Sequence, residues 1–437
     1  MSNLRKVSLA LLAVLSLGSV FADSALQDLQ SQIDQLNRKV SGLQPSAPPE
    51  NTLQSSSTLS KIGKLAEDGS IHLDNDLGFY IDAQPSITYS LALLQAQQQH
   101  SFSGVAFGGY FEQDTQYWNG DSITTTDNTL YTHGSGVYFT SLDLDFLARM
   151  NTWTSVLVRA EVQNLGTTSE SIGLHDGFVT FGNLDKLPLY ATIGKTYVPF
   201  GGFYGSGLWN AALTRVAFRP STTNQVIFGY YEKGLGTSLS FFHNPGFGSQ
   251  VSRFAYRFSY GNSSGKWSYG AGLGYLSDMR GNSSSVGSQF SSGGAFYNSQ
   301  NTRNAVYDIN GTIGYGIVEV DGEFLTTQRN LITTAGTNQG RPQAWNIDAS
   351  VSPVIYGKPV SMMLGYSHTS HLQGTPMSLN GAAAPGYSTA SGLSGQWTAT
   401  VSREILSGYY LGLEGSQNKL YNGQTTYEFT VDNSVYF

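Results

Sequence analysis

The side chains able to act on a solute recur along this chain at every second position, alternating with apolar ones. In residues 141–148, Ser141, Asp143 and Asp145 share one face while Leu142, Leu144, Phe146 and Ala148 share the other. Arg159, Glu161 and Gln163 alternate with Val156, Val158, Ala160 and Val162. Arg253 and Arg257 alternate with Phe254, Tyr256, Phe258 and Tyr260, and Glu319, Asp321 and Glu323 with Val318, Val320 and Phe324. Asn346, Asp348 and Ser350 oppose Trp345, Ile347, Ala349 and Val351, and Arg149, Asp308, Glu414 and Glu428 complete the charged set. Carboxylates and guanidiniums fixed on one side of a sheet select ions and orient polar solutes in a pore. The arginines lie in earlier segments and most acids in later ones, so opposed walls of opposite charge are one reading. Pairing between adjacent strands, for instance Asp143 or Asp145 with Arg159, is the other.

Little else points to chemistry. His368 and His371, with Tyr366, lie near the end of one alternating segment, where they either touch an iron chelate or are loop histidines without a role. No Ser-His-Asp constellation and no metal-spaced carboxylate cluster stands out, so esterase or protease activity is not expected. There are no cysteines, which removes thiolate metal sites, Cys nucleophiles and disulfides. Neither a cofactor nor a metal site is expected. A net charge of −7 does not suit nucleic acid, which needs basic patches.

The elements that carry these residues follow from the same alternation, since period two is the signature of strands. Charged residues make up 12% of the 437, aromatics 13%, and Gly contributes 51, a balance unlike that of soluble domains. Beyond the N-terminus no run approaches the roughly 20 apolar residues of a spanning helix. Strands with one lipid face and one wet face fit both facts. The connections between them alternate in length. Short links fall near 151–152, 185–188, 233–235, 262–265, 315, 353–358 and 405–407. Long polar ones fall at 119–136, 199–224, 279–302, 328–342 and 370–392, with modest ones near 166–174, 244–250 and 419–424. Short periplasmic turns alternating with long extracellular loops predict an all-β transmembrane antiparallel barrel of about 16 strands over 101–437.

The two termini agree. Residues 1–22 read as a secretory signal peptide, with Arg5 and Lys6 before an apolar stretch and Val20-Phe21-Ala22 before the cleavage point. Over 23–44, Leu26, Leu29, Ile33, Leu36, Val40 and Leu43 keep a strict a/d heptad spacing, which predicts a short periplasmic coiled-coil helix holding chains together, or a helix docked on the barrel rim. Residues 45–100 read as a linker and periplasmic segment, Ser/Pro-rich to residue 60. Leu91 to Gln99 looks like a short helix, and residues 61–100 form a collar or enter the barrel. At the other end Tyr427, Phe429, Val431, Val435 and Phe437 fall in one phase. That is the aromatic-terminated final strand which outer-membrane assembly machinery recognises. The expected partners are therefore the lipid bilayer, that machinery and a small solute.

Within the long link 199–224, Pro199 ends a strand, glycines permit close backbone approach, and Trp209, Arg215 and Arg219 follow. This segment is a candidate to fold inward as a constriction. Lys195 breaks the alternation beside Ile193, which a bulge or the aqueous rim must relieve.

With its signal peptide, Leu/Gln-rich heptads over 25–44, Pro/Ser linker and aromatic-ended barrel, the chain resembles the LbtU/FslE/FupA-type siderophore porins over nearly its whole length. The resemblance implies iron uptake across the outer membrane, as ferric siderophore or ferrous iron, without a TonB-type plug. The stretch 194–201 is also similar to the Val-Pro-Phe-Gly motif of phosphate-selective porins, although the acidic inward set disfavours an anion channel. A general or anion-selective diffusion porin and a structural or adhesive barrel are the alternatives. A homotrimer is expected because sixteen-strand porins commonly form one.

Overall fold

The structure, a computed structural model, describes residues 71–74, 78–81, 89–99, 104–124, 130–131, 133–163, 171–205, 207–243, 251–282, 284–299, 301–378, 388–389 and 391–437. The expected signal peptide, heptad helix and Ser/Pro linker lie outside the described residues, so Leu26, Leu29, Ile33, Leu36, Val40 and Leu43 have no structural account.

Among the described residues sixteen long strands close into one antiparallel barrel. In chain order they are β1 (Gly104–Gly120), β2 (Gly134–Arg149), β3 (Thr154–Gln163), β4 (Ser171–Asn183), β5 (Leu187–Tyr197), β6 (Thr222–Glu232), β7 (Leu235–Phe242) and β8 (Arg253–Ser264). Then come β9 (Trp267–Leu276), β10 (Val306–Tyr315), β11 (Val318–Thr327), β12 (Gln343–Val351), β13 (Lys358–Ser370), β14 (Leu393–Leu406), β15 (Tyr409–Leu420) and β16 (Thr425–Tyr436). Each pairs with its chain neighbours, and β16 pairs with β1 to complete the ring. Closure leaves no edge strand, so apart from local bulges the wall's backbone groups pair within the sheet, as a lipid environment demands.

Hairpins of two to six residues join the strands at one end, at 150–153, 184–186, 233–234, 265–266, 316–317, 352–357 and 407–408. The Lys233-Gly234 pair holds both residues at positive φ, 52° and 84°, the turn whose twist matches a two-residue hairpin. A Cβ on Gly234 would lie 1.9 Å from the carbonyl oxygen of Gly261, so no other residue fits there. The connections at the opposite end are longer, among them 121–133, 198–221, 277–305, 328–342 and 371–392. The turn and loop pattern matches that expected from the sequence.

The outer surface is apolar. Val158, Phe254, Ile309, Ile347, Leu364 and Leu413 point outward, alternating with inward-facing neighbours. Aromatic residues collect at both ends of this band: Trp153, Trp267, Tyr269 and Tyr315 by the short turns, and Tyr275, Tyr307, Trp345, Tyr366 and Trp397 towards the long loops. A closed sheet with a lipid-suited band between aromatic girdles is the architecture of Gram-negative outer-membrane barrels, and that is the location of this chain. The phase slips at Thr140, where β2 bulges against β1. Val137 and Phe139 thereby face outward on one side of the slip, and Leu142, Leu144 and Phe146 on the other.

The interior is not left to water. A helix, α1 (Tyr89–Gln99), packs Tyr89, Leu93 and Ala96 against Leu147, Leu157 and Phe178, which are inward residues of β2, β3 and β4. The Gln97 amide donates to the Ser155 hydroxyl, and Gln98 Nε2 donates to Asp185 Oδ1 over 2.9 Å. The sequence leaves residues 61–100 to form a collar or to enter the barrel. The helix at their end sits on the inner wall, because Leu147, Leu157 and Phe178 give the inward face of β2–β4 an apolar strip that a helix can cover.

Candidate channel constriction

The connection 198–221 between β5 and β6 crosses to the inner surface of β11–β16. Its sequence makes this possible. Gly205 and Gly207 bring the backbone so close to the wall that a Cβ would meet Asp348 Oδ2 at 1.9 Å and Glu414 Oε2 at 2.2 Å. Wall carboxylates then take the loop's amides. Glu323 Oε1 accepts from the backbone N–H groups of Gly202 and Phe203, each over 2.7 Å. Glu414 accepts from the N–H of Trp209 and Asn210 and from the Asn210 side chain over 2.8–2.9 Å. The same Asn210 amide lies 2.9 Å from Glu428 Oε2 and 3.0 Å from Ser416 Oγ. Asn346 Nδ2 donates to the Tyr204 carbonyl over 3.1 Å, and the Leu213 N–H donates to Ser367 Oγ over 3.2 Å.

The chain then turns through a short helix, α2 (Leu213–Phe218). Its buried Leu213 and Phe218 join Phe200, Met279, Phe290 and Phe296 in one apolar cluster, so the link 277–305 packs over the same end of the lumen. On the opposite flank the Arg219 guanidinium lies 4.0 Å from the centre of the Tyr197 ring. Tyr197 meets Tyr89 of α1 edge-on at 6.1 Å, and the Tyr89 hydroxyl accepts from Arg159 Nη1 over 3.0 Å. A stack of cations and rings thus links the inward loop to the lumen helix.

The charged set expected inside is found inside, but most of it is locally occupied. Arg159 bridges Asp145 at 3.0 Å and Asp143 at 4.0 Å, all three nearly fully buried. Glu161 reaches His175 at 3.9 Å. Arg253 is bound at 3.2 Å by Asp278 of the 277–305 link, which also holds Arg280 at 2.7 Å. Arg257 is half-buried and acts on Asp308, whose carboxylate accepts from Asn310 over 2.6 Å. Asp348 takes the Asn346 amide. Glu319 and Arg149 sit at the short-turn ends of β11 and β2, and Glu319 accepts from Ser268 over 3.4 Å. Asp321 is buried opposite Asp348. Of the two readings, pairing between adjacent strands holds for Arg159 with Asp143 and Asp145. Arg253 is neutralised by the 277–305 link, and Glu323 and Glu414 accept from the loop's amides.

Two other sites lie on the outer side. Tyr366 and His368 face outward in the aromatic girdle, with Trp345 5.4 Å and 5.8 Å away, so His368 does not point into the lumen. Lys195 donates to the Leu174 carbonyl over 2.5 Å, which satisfies an ammonium on the outward side near the loop end. A carboxylate cluster also exists although none was legible along the chain: Glu112, Asp114 and Asp432 meet where β1 pairs β16. Asp432 lies more than 300 residues from the other two in sequence. The usable signal was that first and last strands of a closed barrel are neighbours.

The assembly residues lie on the final strand as expected. Phe429, Val431 and Val435 face outward, and Phe437 completes the ladder. Its carbonyl accepts from the Gly109 N–H over 2.8 Å, its own N–H donates back over 3.1 Å, and its ring lies where a side chain at Gly109 would be.

Residues 81–295 match a family described as "Protein of unknown function (DUF3573)". The chain is similar to UPF0422 protein lpp3030 of Legionella pneumophila (strain Paris), at 29% identity over 46% of this chain and 40% of that protein. A UPF0422 protein of Coxiella burnetii is 25% identical over 62% of this chain and 58% of its own length. The chain thus spans well under two thirds of these relatives. Among solved structures it resembles a loop L8 deletion mutant of OmpT from Vibrio cholerae, with TM-score 0.49, 10% identity, and 76% and 99% of the two chains covered. An anion-selective porin from Comamonas acidovorans gives TM-score 0.49 at 13% identity over 77% and 100%.

Proposed function

We propose that this barrel is a selective porin for iron, taken up as a ferric siderophore or as the ferrous ion without a TonB-type plug. The observation that supports selectivity is the occupied interior. Inward residues all round the wall, from Asp145 and Thr192 to Ser240, Asn346 and Glu414, are nearly inaccessible, because α1 fills one flank and the inward loop the other. A general diffusion pore of this strand number keeps a wide wetted lumen. The iron reading rests on the heptad segment, linker and barrel that resemble siderophore porins. The excess of carboxylates on the wall favours a cationic or neutral cargo over an anion. Conduction, not catalysis, is the role. The heptads at Leu26, Leu29, Ile33, Leu36, Val40 and Leu43 would hold three chains together.

The test is uptake of radiolabelled iron by a deletion strain, with and without siderophore, and again after the gene is restored. Loss of uptake on deletion and recovery on restoration is expected. Unchanged uptake in iron-starved cells would overturn the iron assignment.

A further inference from the structure

We propose that Glu112, Asp114 and Asp432 form a binding site for a hard divalent cation of the calcium class, which ties the first strand of the barrel to the last. Asp114 of β1 stands directly opposite Asp432 of β16, and Glu112 lies two positions along on the same inward face. One carboxylate oxygen from each residue lies within 4.8 Å of the others. Two oxygens bound to one Ca2+ at about 2.4 Å cannot be more than about 4.8 Å apart, so the spacing permits a shared ion.

The second observation is the state of Asp114. It is fully buried, and neither of its carboxylate oxygens has a hydrogen-bond partner among the described residues. Its neighbours are provided for: Glu112 accepts from the Tyr110 hydroxyl over 2.6 Å, and Asp432 accepts from Ser434 over 2.9 Å and 3.0 Å. Buried Asp145, by contrast, is matched by Arg159. A buried carboxylate without partner is strongly unfavourable in its charged form, so the group needs a proton or a cation. Arg215 of α2 acts on Glu112, but one positive charge does not balance three carboxylates. The bulge at Thr140 brings a hydroxyl beside Glu112 and Asp114, a further neutral oxygen.

The donor set fixes the class of ion. Six carboxylate oxygens and a hydroxyl, without nitrogen or sulfur, suit calcium, magnesium or manganese over zinc or copper. The irregular arrangement favours calcium, whose coordination is flexible, over magnesium, which requires a near-ideal octahedron. The ion would sit on the strand pair that closes the ring, between residues more than 300 apart in sequence. This site is independent of the iron reading.

The experiment uses the full barrel refolded into detergent without lipopolysaccharide. Terbium luminescence sensitised by neighbouring aromatic residues reports binding, and calcium competes. One competing site per barrel is expected, with the heat-modifiability midpoint rising in Ca2+ and falling in EDTA. Asp114→Asn and Asp432→Asn should each weaken binding at least tenfold and abolish the calcium dependence of the midpoint. Both remove a buried charge and should still fold in EDTA; Glu112→Gln serves as a third variant if either does not. A parent barrel that neither binds terbium at millimolar concentration nor responds to calcium would overturn the proposal in favour of a proton shared among the carboxyls. Binding retained in all three variants would overturn it by putting the ion elsewhere.

Discussion

Replacing Glu414 with Ala should release the inward loop. The carboxylate accepts from two backbone N–H groups and one side-chain amide, at 2.8, 2.9 and 2.9 Å. Hydrogen bonds to an ionised group contribute roughly 1.5–3 kcal/mol each, and buried donors left unpaired add a penalty. Three bonds to one carboxylate are not additive, so about 4 kcal/mol is a reasonable loss for the group. At about 1.4 kcal/mol per factor of ten, the docked fraction of the Leu208–Phe218 portion falls by roughly a thousandfold. The part held by Glu323 stays in place, because its two bonds at 2.7 Å are untouched. Single-channel recording in planar bilayers should therefore show a low, steady conductance for the parent and a larger, noisier one for Glu414→Ala. Trypsin should cut the variant after Arg215 while sparing the parent; Arg219 precedes Pro220 and is not a trypsin site. Glu414→Gln should fall between, since its amide oxygen still accepts. If Glu414→Ala matches the parent in both conductance and protease resistance, the loop is not held as argued.

Three further outcomes are expected. Deleting Phe437 should cut the amount of folded, heat-modifiable barrel in the outer membrane severalfold with secretion intact; Gly109→Leu should do the same, because its Cβ would fall 2.5 Å from the Phe437 ring, whereas Thr430→Ala should not. Arg159→Ala leaves Asp143 and Asp145 buried without their cation, at a cost of about 3–5 kcal/mol in urea unfolding, and an unchanged midpoint would show that the pair is solvated. Replacing Ile33 and Leu36 with Asp should reduce crosslinked oligomers in mild-detergent extracts while channel conductance persists; unchanged oligomers would assign association to the barrel walls.

Much of the barrel was legible because strand periodicity is local. Val156 and Val158 against Arg159, or Ile347 against Asp348, state their faces within four residues, and turn and loop lengths follow the same chain order. The final strand needs only its own pattern. What escaped the sequence depends on distant partners. Leu91 to Gln99 reads as a helix, but its place on the inner wall is set by Leu147, Leu157 and Phe178, which belong to three different strands. Glu323 and Glu414 look like free lumen acids until the loop amides that occupy them are known. The slip at Thr140 is a single unpaired residue inside an otherwise regular strand. Asp114 and Asp432 become neighbours only through closure of the ring.

The central claim is that α1 and the inward loop keep this outer-membrane barrel selective instead of open. Liposome swelling with a small neutral sugar tests it most directly, using the purified full-length chain. The sugar should enter parent liposomes scarcely faster than protein-free ones, and far faster once Glu414→Ala frees the loop. Rapid swelling with the parent, at the rate of a wide diffusion porin, would contradict the account.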